Sequence, residues 1–259
     1  MNKMLIKEFI KNLQSDIDLS KAEPWDPVGF SIPLRGLKKL KNVLVCLDIT
    51  QKVVDEAITK NVNLIISHHP FIFYGKDKDF ELTPYKQKLY EQLKKYKINT
   101  FSFHTAFDKS NFFSAKGIAQ MLGFKPTNED QQLSEFALKC DFKKQAIGNI
   151  FNLLRMNGIK NLQTNIIDTQ KQVSNAIIFP GSGYFGELIK LKNETDFFIT
   201  SDAKWSDLVA YSEEKVSVIN VSHSLEKGFI YSMQKICEKY LDKNNLYIVW
   251  PEDLIWNID

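Results

Sequence analysis

The apolar residues of this chain fall into short unbroken runs separated by amphipathic stretches, the pattern of strands covered on both faces alternating with helices. Residues 3–13 set Leu5, Phe9, Ile10 and Leu13 at helical spacing and predict a short helix. Glu23-Pro24-Trp25-Asp26-Pro27-Val28-Gly29-Phe30 has no period and reads as a proline-stiffened loop whose Trp25 plugs the core. Val43-Leu44-Val45-Cys46-Leu47 predicts a buried strand. Thr50 then caps a helix from Gln51 to about Lys60, with Val53, Val54, Ala57 and Ile58 on its inner face. Asn63-Leu64-Ile65-Ile66 is the next strand, and strand, helix, strand at this length predicts a right-handed parallel crossover. Lys76-Asp77-Lys78-Asp79 reads as a charged loop and Thr83-Pro84 as the start of a helix to about Lys97. A third strand over 98–103 and a helix over 112–122, closed by Gly123, follow.

Thr127 to Gln132 is the most polar stretch in the middle of the chain and sets the expected boundary between a first lobe, residues 1–127, and a second, residues 128–259. Beyond it the pattern predicts a strand over 133–141, a helix over 142–157 ended by Gly158, strands over 161–168 and 173–179, and a helix over 184–191. Strands over 196–200 and 215–221 flank a further helix, and a helix over 225–242 precedes a last strand over 246–250. Pro180-Gly181-Ser182-Gly183 could offer amides to an anion at the helix start, although a tight turn needs glycine for its backbone angles in any case. Both halves share a rhythm of strand, turn, helix, strand. The expected fold is therefore α/β, two mixed-sheet lobes facing each other, with their interface the natural place for a site.

Composition narrows the class. With 34 Lys+Arg against 31 Asp+Glu the net charge is +3, and the charges are scattered, so no nucleic-acid stripe is present. Lys94-Lys95-Tyr96-Lys97 solvates a helix end. Cys46, Cys140 and Cys237 lie in apolar or amphipathic stretches without CxxC spacing and read as buried, reduced thiols. The first ten residues are interrupted by charge too often for a signal peptide, and no run is long enough to span a bilayer. A soluble cytoplasmic protein is expected.

The chemistry gathers on histidine. The chain has four, His68, His69, His104 and His223, and each follows a predicted strand. Carboxyl ends of strands in open α/β sheets are where ligands collect. The doubled histidine of Ser67-His68-His69-Pro70 points its two rings in different directions, which suits two adjacent metal ions better than one. Asp108 follows His104 and Glu226 follows His223 at short distance. A single histidine is more often a hydrogen-bonded core or surface residue; four with acids after several strands fit a mixed nitrogen and oxygen site for two divalent ions.

Trp25-Asp26-Pro27-Val28-Gly29, Ser67-His68-His69-Pro70-Phe71, His104-Thr105-Ala106-Phe107-Asp108, Gly181-Ser182-Gly183, Thr200-Ser201-Asp202-Ala203-Lys204-Trp205 and His223 to Glu226 come in the order of one family. The chain resembles the Nif-three-like dinuclear-metal proteins, often labelled GTP cyclohydrolase 1 type 2 homologues, over nearly its whole length. The resemblance implies two α/β lobes with two metal ions between them and a toroidal homohexamer. It implies His68, His69, Asp108, His223 and Glu226 as metal ligands, with Asp108 and Glu226 bridging, and His104 in the site as a catalytic non-ligand. It also implies the short form, without an extra middle domain. The chain departs from the family in places: Glu226 is three rather than four residues after His223, with Lys227 in the fourth place. Pro27 stands where asparagine is usual, and Ser201 and Ser206 where glycine and histidine are usual.

Two functions follow from that resemblance. One is a metal-dependent hydrolase acting on a nucleotide or related small molecule, the family label pointing to the purine ring of GTP, although no purine-reading motif is present. The other is a non-catalytic metal-handling protein or ring-shaped scaffold. Nitrogen and carboxylate ligands without thiolate admit zinc, iron, manganese or cobalt in either case.

Overall fold

The computed structural model describes residues 4–33, 36, 38–127, 133–159 and 161–252. Asn128 to Gln132, most of the polar stretch read as a lobe boundary, lies outside the described residues. The chain forms two compact units, one of Met1–Ser110 with Ser232–Pro251, the other built on Asn111–Tyr231. The division therefore falls at Ser110 rather than near Thr127, and a late segment returns to the first unit.

The first unit carries helix α1 (Ile6–Asp16), strand β1 (Gly29–Phe30), β2 (Asn42–Cys46), α2 (Gln51–Thr59), β3 (Val62–Ser67), α3 (Lys76–Leu82), α4 (Tyr85–Lys95), β4 (Asn99–Ser102) and α5 (His104–Lys109). The second carries α6 (Phe113–Leu122), β5 (Lys125–Pro126), β6 (Leu138–Ala146), α7 (Ile147–Met156), β7 (Leu162–Thr164), β8 (Gln172–Ile178), α8 (Phe185–Lys190), β9 (Phe198–Ser201), α9 (Trp205–Glu213) and β10 (Val218–Val221). α10 (Gly228–Glu238) carries the chain back, and β11 (Leu246–Val249) ends the first sheet. Among the described residues no helix is long and apolar enough to cross a membrane.

The sheet of the first unit has the order β1-β4-β3-β2-β11, with β1 antiparallel and the rest parallel. Val43, Leu44, Val45, Leu64, Ile65 and Ile66 are buried, as unbroken apolar runs in a parallel sheet should be. Pairing with β2 explains why β11 leaves the second half of the chain: its main chain completes the first sheet's edge. In the second unit the order is β5-β6-β8-β9-β10-β7; β8, β9 and β10 are parallel and the outer strands antiparallel. The expected fold, two mixed α/β sheets, is the observed one.

Several local expectations differ from the structure. Lys76–Leu82 is a helix, not a charged loop, because Gly75 at φ +96° turns the chain into it and buried Asp79 accepts the Phe73 and Tyr74 amides at 2.6 and 3.0 Å. Its acidic first turn also suits the helix dipole. The strand after the boundary runs to Ala146, five residues past the expected end at 141. Only one of its faces is covered at Leu138 and Cys140, so its polar face reads as loop or helix in the sequence. Trp25 does not plug the core; its side chain is 58% exposed, and the buried residue of that loop is Asp26.

Two glycines in the second unit let backbones meet. A Cβ on Gly228 would lie 2.6 Å from the Ser114 carbonyl oxygen and 2.7 Å from Ile118 N, and one on Gly117 would collide with the Gly228 carbonyl. Neither helix backbone can give way without moving its own packing. Gly117→Ala is accordingly expected to cost about 1–3 kcal/mol of stability, read as a lower urea midpoint. An unchanged midpoint would show that the contact is looser than this.

Candidate metal centre

In-register pairing places the carboxyl ends of β2, β3 and β4 level, with Cys46 opposite Ser67 and Ser67 opposite Ser102. The ladder continues past the strands: His68 N donates to the Cys46 carbonyl, His69 N to that of Leu47 and His104 N to that of His68, each at 3.1 Å. Three imidazoles are thereby drawn together. Ring centroids are 4.9 Å apart for His68 and His69, 5.3 Å for His68 and His104, and 5.4 Å for His69 and His104. One nitrogen from each ring lies within 4.8 Å of the others, so this trio could hold a metal ion. Asp108, four residues along α5 from His104, sets a carboxylate oxygen 3.7 Å from His68 Nε2. Both His68 and Asp108 are buried.

Aspartates orient two of these rings. His69 Nδ1 lies 2.8 Å from Asp48 Oδ1, at the end of β2. His104 Nδ1 lies 2.9 Å from Asp26 Oδ1, while the other Asp26 oxygen accepts from the Thr105 amide at 3.0 Å and from the Thr105 hydroxyl. Burial alone would raise the Asp26 pKa, but the hydrogen bonds from His104 and Thr105 outweigh it and hold the carboxyl below its ordinary value. His104 adopts φ +37°, a left-handed conformation costing a non-glycine residue about 1–3 kcal/mol. The Asp26 bonds and the His68 carbonyl hold it there. With Nδ1 turned to a carboxylate, Nε2 is the atom left for a metal or a proton.

The second unit repeats the construction. Ser201 pairs with Val221, and the next residues deliver Asp202, at φ +55°, and His223. His223 Nδ1 is hydrogen-bonded to Asp202 Oδ2, and its Nε2 lies 2.7 Å from Glu226 Oε2. The short spacing works because His223–Lys227 is a 3-10 helix, where side chains three apart eclipse. Lys227 does not take Glu226's place: its ammonium donates to the Asn157 carbonyl. Gly181, at φ +65°, leaves room for Glu226, since a Cβ there would strike the carboxylate. The Gly-Ser-Gly turn serves this packing, and its Gly183 amide is taken up by the Thr200 hydroxyl at 2.9 Å.

Thus the first unit gathers His68, His69, His104 and Asp108, and the second joins His223 to Glu226. Sequence reasoning missed Asp26, Asp48 and Asp202. Asp48 and Asp202 did carry a signal, since each ends an apolar strand run as the histidines do; Asp26 stands in a motif that carries the resemblance, but nothing around it points to a partner histidine. The donors are imidazole and carboxylate, and Cys46, Cys140 and Cys237 are free and buried, their thiols pushed up by burial. This set fits zinc, iron, manganese or cobalt.

Burial works against a charge on His223, but the Asp202 and Glu226 carboxylates overcome it and raise its pKa to about 10. In metal-free protein the ring is therefore an imidazolium at neutral pH. Its contribution to folding is fully present below the unfolded value near 6.5 and is lost as pH rises through about 10. A ligand must be deprotonated, so metal uptake at His223 releases a proton and strengthens as pH rises toward 10. NMR titration of its Cε1 proton should show this high pKa in metal-free protein and a lower one in Asp202→Asn; a midpoint near 6.5 in both would contradict the pairing. Gly181→Ala should displace Glu226 and weaken metal retention, measured by competition with a chelator.

Against known proteins, the model of the Duf34/NIF3 (NGG1p interacting factor 3) family matches residues 4–252. The chain is 32% identical over 247 residues to a Mycoplasmopsis pulmonis protein named GTP cyclohydrolase 1 type 2 homolog, covering 94% of this chain and 97% of that one. It is 34% identical over 243 residues to a Ureaplasma parvum protein of the same name, covering 89% of each. Among solved structures, a Staphylococcus aureus protein superposes with a TM-score of 0.85 at 18% identity, covering 100% of both chains, a likeness of fold. On a family match spanning both units and both histidine clusters, the chain belongs to the Duf34/NIF3 family.

Proposed function

We propose that this protein binds two divalent metal ions per chain through His68, His69, Asp108, His223 and Glu226 and uses them to hydrolyse a nucleotide or related small molecule. The observation that carries the reading is the set of imidazoles whose Nδ1 atoms are held by Asp26, Asp48 and Asp202, an arrangement that prepares histidine for metal and proton chemistry. The name of the relatives, GTP cyclohydrolase 1 type 2 homolog, supports a purine nucleotide as substrate. Zinc, iron, manganese or cobalt would each suit the donors, and bound ions would bring the pKa of a water toward neutrality and stabilise charge on the attacked atom.

His104 is the proton-transfer group in this reading. Asp26 holds its Nδ1, so Nε2 takes the proton from the attacking water and returns it to the leaving group, and the Asp26 carboxylate stabilises the imidazolium formed in between. The assembly proposed with it is a homohexamer.

Elemental analysis of the purified protein is expected to find about two ions per chain, lost on replacing His68 and His69 by alanine. His104→Ala should keep the metal and lose turnover in a GTP ring-opening assay by about 10²–10⁴-fold, and Asp26→Asn should lower turnover in the same direction. Metal without turnover in the unaltered protein would favour metal handling or a scaffold role; no metal would end the reading.

A further inference from the structure

Beside the Asp26–His104 pair stands an aromatic wall that the site just described does not use. Trp25 is 58% exposed and Tyr74 60% exposed, although neither lies on a loose segment. Around Trp25, the Glu23 amide donates to the Thr105 hydroxyl at 3.0 Å, the Asp26 amide to the Glu23 carbonyl at 2.9 Å, and Lys109 pairs with Glu23 at 2.6 Å. Around Tyr74, buried Asp79 takes the Phe73 and Tyr74 amides. The rings run as a chain: His104 to Trp25 at 5.9 Å, Trp25 to Phe73 at 6.0 Å, and Phe73 to Tyr74 at 4.9 Å. Lys78 sets its ammonium 4.8 Å from the Tyr74 ring centroid, which gives the far end a positive charge.

A lone exposed ring is ordinary on a protein surface, but Trp25, Phe73 and Tyr74 adjoin one another, and a contiguous apolar surface of this kind marks a recognition site. Its position narrows the partner. The exposed indole adjoins the imidazole whose Nε2 is free for proton transfer, so whatever covers Trp25 lies against the reacting group. We propose that Trp25, backed by Phe73 and Tyr74, is a stacking platform for a planar nitrogen heterocycle of the nucleobase class and delivers it to His104. Stacking on an aromatic face suits any base and needs no hydrogen-bond code, which accounts for the lack of a purine-reading motif in the sequence. The inference deepens the hydrolase reading and rests on His104 serving a small-molecule reaction, but it concerns binding and is tested without turnover.

The test uses the metal-loaded full chain and two probes, guanosine, which has a base and no phosphate, and ribose 5-phosphate, which has a phosphate and no base. Saturation-transfer NMR and calorimetry are expected to show guanosine binding, weakened about tenfold or more in Trp25→Ala, the loss expected when a stacking face is removed. Trp25→Phe should recover most of that loss because it restores a ring face, and metal content should match the parent in both variants. Guanosine bound in this Trp25-dependent way without ring opening would support the platform while counting against the hydrolase. The platform is overturned if guanosine does not bind, if Trp25→Ala and Trp25→Phe bind it as the parent does, or if only ribose 5-phosphate binds. A change in the size of the assembly in Trp25→Ala with guanosine binding unaltered would also overturn it, by showing that another copy of the chain covers the indole.

Discussion

Parallel pairing fixes register by main-chain hydrogen bonds at every other residue, and in this protein the register decides where the chemistry lies. Cys46, Ser67 and Ser102 sit abreast, so the residues that follow them emerge together. Ser201 and Val221 do the same in the second unit. In each case an aspartate leaves one strand and a histidine leaves its neighbour, and the hydrogen bond between them is closed by sheet order rather than by proximity along the chain. A one-residue slip would turn the aspartates away from the rings and the apolar runs out of the core at once.

What the register assembles is costly. His68, Asp108 and Glu226 are buried, and polar groups taken from water need partners. His104 and Asp202 hold left-handed backbones that favour glycine. His223 stands between the Asp202 and Glu226 carboxylates, which raise its pKa and favour the charged ring. Strain, burial and paired charge concentrated on a few residues at strand ends are what a prepared site requires, and a fold maintained for stability alone has no use for them.

The sequence made much of this legible. Unbroken apolar runs mark the parallel strands and the histidines follow at their carboxyl ends, where the structure gathers them, because both features are local. Of the orienting aspartates Asp26 is the least legible: it lies 78 positions from His104, and its role depends on a loop path that no periodicity encodes. The return of β11 to the first sheet was hidden for the same reason. Lys76–Leu82 read as loop because the charges that face water and cap the helix outnumber its apolar residues. Trp25 reads as a core plug in a loop without period, and the structure instead leaves its ring exposed and buries Asp26 beside it. The three-residue spacing of His223 and Glu226 brings their side chains together because the turn that holds them is a 3-10 helix, a geometry the sequence alone does not specify.

The proposed chemistry requires the imidazoles to be metal ligands. X-ray absorption at the metal edge of zinc-loaded protein tests this directly. The expected spectrum has a first shell of nitrogen and oxygen at about 2.0–2.1 Å, with the outer-shell scattering of imidazole rings. A sulfur shell near 2.3 Å, or bound zinc without imidazole scattering, would contradict it.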